Sequence, residues 1–173
     1  AEFEKAVRLA PNDAIAQSAL GWVLAQQGDA AAAVQHLQTA IKVRPGLVDA
    51  RLTLAGVLSQ QGNTAQAERE AREAVKIAPG NAEAHRMLAK ILIQRPGDEA
   101  LSEMRRAIAV APERADLRDE LGTILAQRDQ FADAAVAFQE ALHLQPNLES
   151  AHFHLGVVHL NSQQLDEAAH ELG

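Results

Sequence analysis

Five of the six prolines in this chain of 173 residues recur at a nearly constant interval. They are spaced 34, 34, 33 and 34 residues apart, at Pro11, Pro45, Pro79, Pro112 and Pro146. Nine residues after each Pro stands a Leu followed by Gly or Ala: Leu20-Gly21, Leu54-Ala55, Leu88-Ala89, Leu121-Gly122 and Leu155-Gly156. Columns that keep one period along the whole chain indicate a repeat protein instead of a single globular core.

Each period is expected to form two helices. Between one Pro and the next, a helical pattern of about 14 residues runs to a break, and a second helical pattern runs from the break to the next Pro. The breaks fall at Gly28, Gly62, Pro96-Gly97, Asp129 and Gln163. Asp29, Asn63 and Asp98 follow three of them and are predicted N-caps, because their side-chain oxygens can accept from the first free backbone N–H groups. Pro ends the second helix because it has no N–H to donate.

The composition suits closely packed helices. The chain has 36 Ala and 21 Leu but only five aromatic residues, with no Tyr and no Cys. The lack of Cys excludes disulfides, thiolate metal sites and a Cys nucleophile, and it fits the cytoplasm and the periplasm equally well. A formal charge of −7 argues against non-specific nucleic-acid binding. Direct membrane insertion is not expected either, because no stretch reaches the roughly 18 apolar residues of a membrane span.

The order of these columns resembles the tetratricopeptide repeat. After the Leu-Gly or Leu-Ala pair and the turn come an Ala column, a second Ala column and the Pro. The first of these columns is Ala33, Ala67, Ala100, Ala134 and Ala168. The resemblance covers essentially the whole chain and implies an all-α fold, a right-handed superhelical α-solenoid of antiparallel helix pairs. The chain departs from the family where an aromatic is usual, three residues before the Leu, at Gln17, Arg51, His85, Arg118 and His152.

The predicted organisation is a single array over residues 1–173. It begins with the second helix of a truncated repeat at 1–13. Repeats follow at 14–47, 48–81, 82–114, which is one residue short, and 115–148, with a partial repeat at 149–173. Because both ends cut through a repeat, we expect a segment of a larger protein whose open repeat ends are available for homo-oligomerisation. Arg outnumbers Lys by 12 to 4, a bias common in GC-rich bacterial genomes.

In this family the first helix of each pair lines a concave groove that binds an extended peptide or a partner helix. The resemblance implies groove positions one and two residues before the Leu, and two, five and six residues after it. The predicted peptide-binding residues are Trp22, Gln26, Leu52, Gln60, Arg86, Lys90, Gln94, Asp119, Glu120, Thr123, Gln127, Phe153 and His154. These positions change along the array from apolar to basic to acidic.

Two of the groove features have alternative interpretations. The column Gln26, Gln60, Gln94 and Gln127, continued by Asn161, is either a ladder of amides for a peptide backbone or a solvated position at a helix end. Trp22 is either a binding anchor, as aromatic residues often are, or it fills a gap beside Phe3.

The charged groove positions also have two interpretations. Arg86 and Lys90, four residues apart on one helical face, either hold an acidic group of a ligand or pair with Asp119 and Glu120 of the next repeat. The chaperone-binding members of the family use a clamp of Lys and Asn. Glu120 stands where that clamp needs an Asn, so binding to a chaperone C-terminus is not expected.

No enzyme activity, cofactor or metal is expected of this segment. It has no Gly-rich phosphate loop and no nucleophile elbow. His152, His154 and His159 lack the spacing of helical metal ligands, which are normally three or four residues apart with a further carboxylate or Cys. The leading hypothesis is a protein-interaction scaffold. One alternative is a substrate-recruiting or assembly arm of a larger enzyme or secretion machine, such as a glycosyltransferase. The other is self-assembly through the repeat ends.

Overall fold

The computed structural model of the chain describes residues 2–161. Within that range all regular elements are α-helices: α1 (Glu2–Leu9), α2 (Ala14–Gln26), α3 (Ala30–Val43), α4 (Val48–Gln60), α5 (Thr64–Ile77), α6 (Ala82–Leu92), α7 (Glu99–Val110), α8 (Ala115–Ala126), α9 (Phe131–Leu144) and α10 (Glu149–Asn161). The predicted all-α fold of repeated helix pairs is confirmed. The break at Gln163 and the Ala column member Ala168 lie outside the described residues.

The helices form two compact units, and the boundary between them falls between Leu92 and Ile93. In the first unit α2 packs on α3 and α4 packs on α5, while α2, α4 and α6 also contact one another in succession. In the second unit α8 packs on α9, and α10 contacts both of them. Within each unit the first helices of successive repeats therefore lie side by side, as they do in an α-solenoid.

The turn inside a repeat has the same hydrogen bonds in three copies. After α2, the N–H of Asp29 donates to the carbonyl of Leu24 at 3.0 Å, which closes a Schellman motif around Gly28. The centre of this motif needs a left-handed backbone, and Gly28 has φ 82°. Gly62 takes this place after α4 with φ 77°, and Asp129 takes it after α8 with φ 57°. The predicted breaks at these three positions are confirmed.

One of the three predicted N-caps makes its side-chain bond. Asp29 Oδ1 accepts from the N–H of Ala32 at 3.1 Å. Asn63 and Asp98 occupy the N-cap positions of α5 and α7, but neither side chain makes a cap hydrogen bond. The Asp98 carboxylate instead accepts from the Arg128 guanidinium at 2.9 Å, so a tertiary contact has taken the place of the local one.

Two further N-caps follow prolines and were not predicted. Asp13 accepts from the N–H of Ile15 at 2.9 Å, and Asn81 accepts from the N–H of Ala84 at 3.1 Å. Each stands two residues after one of the periodic prolines and immediately before the first helix of its repeat. These bonds fix the starts of α2 and α6, two of the helices that line the groove described below.

Polar side chains replace the aromatic residues that are usual three residues before the Leu. In each repeat the side chain donates to the carbonyl of the column proline six residues earlier. The pairs are Gln17 with Pro11 at 2.7 Å, Arg51 with Pro45 at 3.0 Å, His85 with Pro79 and His152 with Pro146 at 2.8 Å each, and Arg118 with Pro112. Because a carbonyl only accepts, both His rings carry a proton on Nε2. Each bond connects the first helix of a repeat to the turn that precedes it.

In the first, second and fourth repeats, the small residue after the Leu is matched to the size of the residue at the facing position. A Cβ on Gly21 would lie 2.6 Å from Cγ of Leu37, and one on Gly122 would lie 2.5 Å from Cε1 of Phe138. Both facing side chains are fully buried. The second repeat has Ala at both corresponding positions, Ala55 and Ala71, which are also fully buried.

Helix α6 is shorter than α2 and α4. It ends at Leu92, so Gln94 lies in the turn between α6 and α7 instead of on the helix face that the repeat pattern implied. Pro96 accounts for the difference, because the residue before a proline disfavours the helical conformation. This turn is also where the one-residue deletion of the third repeat falls.

Candidate functional site

An open groove of about 590 Å³ crosses the first helices of three successive repeats in the first unit. Helices α2, α4 and α6 supply its lining, and we call it the α2–α4–α6 groove. Four of the predicted peptide-binding residues lie together in it: Trp22, Gln26, Leu52 and Gln60. Because these residues come from two successive repeats, the stacking of α2 against α4 brings them together.

Trp22 lies at this groove with 54% of its surface exposed. A role in filling a gap beside Phe3 would bury the ring. The buried side chains of Leu52 and Val57 contribute the apolar lining next to it. Gly56 keeps the middle of the groove open, since the only atom within 4 Å of a Cβ at that position is the Met87 methyl carbon, at 3.7 Å.

Members of the predicted amide ladder divide between the two units. Gln26 and Gln60 are the last residues of α2 and α4, and both are exposed in the α2–α4–α6 groove. Gln94 is exposed in the turn after α6. Gln127 and Asn161 line a pocket of the second unit. Binding of a peptide backbone by these amides stays a prediction.

Two carboxylates in the groove were not among the predicted positions. Asp49 and Glu83 stand in the first turns of α4 and α6, and both line the groove, while none of its lining residues is Lys or Arg. The Glu83 carboxylate accepts from Arg86 at 2.8 Å. The Asp49 carboxylate has no hydrogen bond or ion pair with any residue of 2–161. Both residues stand five positions before the Leu of their repeat, so the repeat period could have identified them as one column.

A second, smaller pocket of about 230 Å³ lies in the second unit between α8, α9 and α10. It contains four predicted residues, Thr123, Gln127, Phe153 and His154. Phe131 and Phe138 also line it, although neither was predicted, because the groove columns fall only on the first helix of each repeat. Three phenylalanines therefore contribute to the lining, and Phe153 is 58% exposed.

His154 links this pocket to the buried carboxylate of Asp119. Its Nδ1 lies 2.8 Å from Oδ1 of Asp119. The ring centroid is 5.3 Å from that of Phe138 and 5.9 Å from that of Phe153. Such packing between two aromatic rings, together with a carboxylate bond, fixes the orientation of the imidazole.

Two of the charged groove candidates have a partner that neither interpretation of the sequence included. Arg86 pairs with Glu83 of its own helix, one turn away, and Asp119 pairs with His154. Lys90 is exposed on α6, and Glu120 is half-buried on α8. Ligand binding by these four residues stays a prediction.

The other two His residues that were considered as metal ligands, His152 and His159, also lie on α10. His152 bonds to the carbonyl of Pro146, and His159 is buried in α10. Among residues 2–161, no cluster of three or more His, Cys, Asp or Glu side chains is arranged to hold a metal ion. No helix in that range is both long and apolar enough to cross a membrane.

Several solved structures share this fold at low sequence identity. A MamA protein superposes with a TM-score of 0.77 at 21% identity, covering 92% of this chain and 87% of its own. The Pseudomonas aeruginosa pilF protein gives a TM-score of 0.82 at 24% identity, covering 91% and 72%. YrrB, described as a TPR protein with an unusual peptide-binding site, gives 0.73 at 19% identity, covering 98% and 88%.

Sequence comparison identifies the family. No curated protein sequence matches the chain significantly. Two sequence models of the tetratricopeptide repeat do match it, one at residues 24–91 and the other at 97–149 and 120–173. Only residues 1–23 and 92–96 fall outside these matches. The chain therefore belongs to the tetratricopeptide repeat family.

Proposed function

We propose that the chain is a protein-interaction module whose α2–α4–α6 groove binds an extended peptide, or one face of a helix, from a partner protein. The observation that carries this proposal is the position of Trp22, half-exposed beside the buried side chains of Leu52 and Val57. Aromatic residues of this kind dominate the binding energy of protein interfaces. Covering the exposed part of the indole would add further apolar burial to the complex.

The size and polar groups of the groove support the same proposal. Its volume of about 590 Å³ lies within the range of known ligand pockets, about 300–1,000 Å³. The exposed amides of Gln26 and Gln60 can each donate to and accept from a peptide backbone, which is how extended segments are held with little dependence on their sequence. The peptide-binding site described for YrrB is a precedent within the same fold.

The proposal is tested by selecting ligands without prior assumptions about their sequence. A phage library of random 12-residue peptides is panned on the immobilised chain, and the dissociation constants of enriched peptides are measured by fluorescence anisotropy. Trp22→Ala is expected to weaken binding about 30-fold, since truncating an interface hot spot costs roughly 2 kcal/mol. Val136→Ala is the matched control, because Val136 is equally exposed, at 54%, but lies on α9.

Gly56→Leu provides a second variant that does not remove any existing contact. The new side chain enters the open middle of the groove, where only the Met87 methyl group is near. Leu is also a better helix former than Gly, so the variant is expected to fold. We expect it to abolish peptide binding. If enriched peptides bound the Trp22→Ala and Gly56→Leu variants as tightly as the wild type, the groove would not be the binding site.

A further inference from the structure

We infer that the α2–α4–α6 groove selects peptides that carry a Lys or Arg close to their apolar anchor. This inference rests on the proposed function and adds the chemical class of the ligand. It depends on the charge of the lining, where Asp49 and Glu83 are the two ionised side chains and neither Lys nor Arg contributes. A bound cation is therefore the complement of this surface.

The two carboxylates differ in how much of their charge is already compensated. Asp49 is exposed and has no hydrogen-bond or ion-pair partner in the described part of the chain. Glu83 shares its charge with Arg86, but both side chains of that pair are partly exposed, so their attraction is weak. Asp49 is thus the principal site for a ligand cation, and Glu83 adds to the negative potential beside it.

A structural role alone explains only part of this arrangement. Acidic residues in the first turn of a helix stabilise it through the helix dipole. Asp133 has such a place on α9, and it does not line the groove. The dipole therefore accounts for an acid at the start of a helix. It does not account for two acids, on neighbouring helices, that line the same apolar groove as Trp22.

The helix geometry sets the distance between Asp49 and Gly56, the α4 residue in the same repeat column as Trp22. They lie seven residues apart on α4, which is about 10 Å along the helix axis. An extended peptide advances about 3.3 Å per residue. For a peptide segment that runs along α4, we therefore expect the basic residue about three positions from the peptide residue that lies over Gly56.

The test uses the random-peptide selection on the full chain, with the wild type and the Asp49→Asn/Glu83→Gln variant panned in parallel. Asp133→Asn is the matched control, since it removes a first-turn carboxylate outside the groove. Far-UV circular dichroism verifies that each variant is folded. Peptides enriched on the wild type are expected to contain Lys or Arg near an apolar residue, and peptides enriched on the double variant are not.

Affinities of one enriched peptide and of its Lys→Gln or Arg→Gln derivative complete the test. We expect the double variant to bind the parent peptide about tenfold more weakly and the derivative with unchanged affinity. The inference would be wrong if peptides that need Trp22 for binding showed no preference for Lys or Arg, or if they bound the double variant as tightly as the wild type. Either result would leave the proposed function unchanged. If no enriched peptide depended on Trp22, both would be wrong.

Discussion

Replacing Gly122 by Ala tests whether helix packing in this chain depends on matched side-chain sizes. A Cβ at this position would lie 2.5 Å from Cε1 and 2.7 Å from Cδ1 and Cζ of Phe138. Carbon atoms in contact prefer a separation of about 3.5–4.0 Å, so the ring or the helix must move by roughly 1 Å. Phe138 is 1% exposed, so a shift of its ring also displaces side chains packed around it.

The expected loss follows from two opposing terms. Overpacking a close-packed core costs typically about 1–3 kcal/mol. The better helix propensity of Ala offsets about 1 kcal/mol of that cost. We therefore expect Gly122→Ala to lower the free energy of unfolding by about 1 kcal/mol, within a range of about 0–2 kcal/mol.

Gly56→Ala is the matched control for this substitution. Gly56 also lies inside a helix, but a methyl group added there would meet only the Met87 methyl carbon, at an ordinary 3.7 Å. We expect this variant to be more stable than the wild type by about 1 kcal/mol. Urea unfolding followed by far-UV circular dichroism measures both. A Gly122→Ala protein as stable as the Gly56→Ala protein would refute the close approach between α8 and Phe138.

Three further variants test other features of the fold and the groove. Asp129→Gly is expected to raise the free energy of unfolding by about 0.5–1 kcal/mol, because Gly adopts the φ of 57° without steric cost; an unchanged urea midpoint would contradict the assignment of strain there. His85→Ala removes a buried ring and its bond to Pro79, so we expect a loss of about 2 kcal/mol in the same assay. Gln26→Ala combined with Gln60→Ala should weaken peptide binding about tenfold by anisotropy, as expected for two lost hydrogen bonds. Full affinity in that variant would rule out the amide ladder.

The helix pairs could be predicted from the sequence because their boundaries are encoded locally. Proline cannot continue a helix, and Gly28 and Gly62 provide the left-handed backbone that ends one. The constant period located the corresponding turn at Asp129 even though Gly is absent there. The early end of α6 was not predicted, although its cause, the helix-disfavouring Pro96, is visible in the sequence.

Side-chain partners could not be predicted in the same way, because they depend on distances between helices. Asp119 and His154 stand 35 residues apart and meet only when α8 and α10 pack together. The column of donors to the proline carbonyls was visible as a departure from the family pattern, but its bonding required the turn geometry. Asp49 and Glu83 shared a periodic column, and they were missed because the groove columns taken from the family did not include that position.

Trp22 is the single tryptophan of the chain, so its fluorescence measures directly whether a ligand binds at the α2–α4–α6 groove. We would titrate the wild-type chain with an enriched peptide that lacks Trp and follow the emission maximum and acrylamide quenching. We expect a shift of the emission to shorter wavelength, reduced quenching, and saturation at the dissociation constant found by anisotropy. Saturable binding by anisotropy with unchanged emission and quenching would show that the ligand binds away from Trp22.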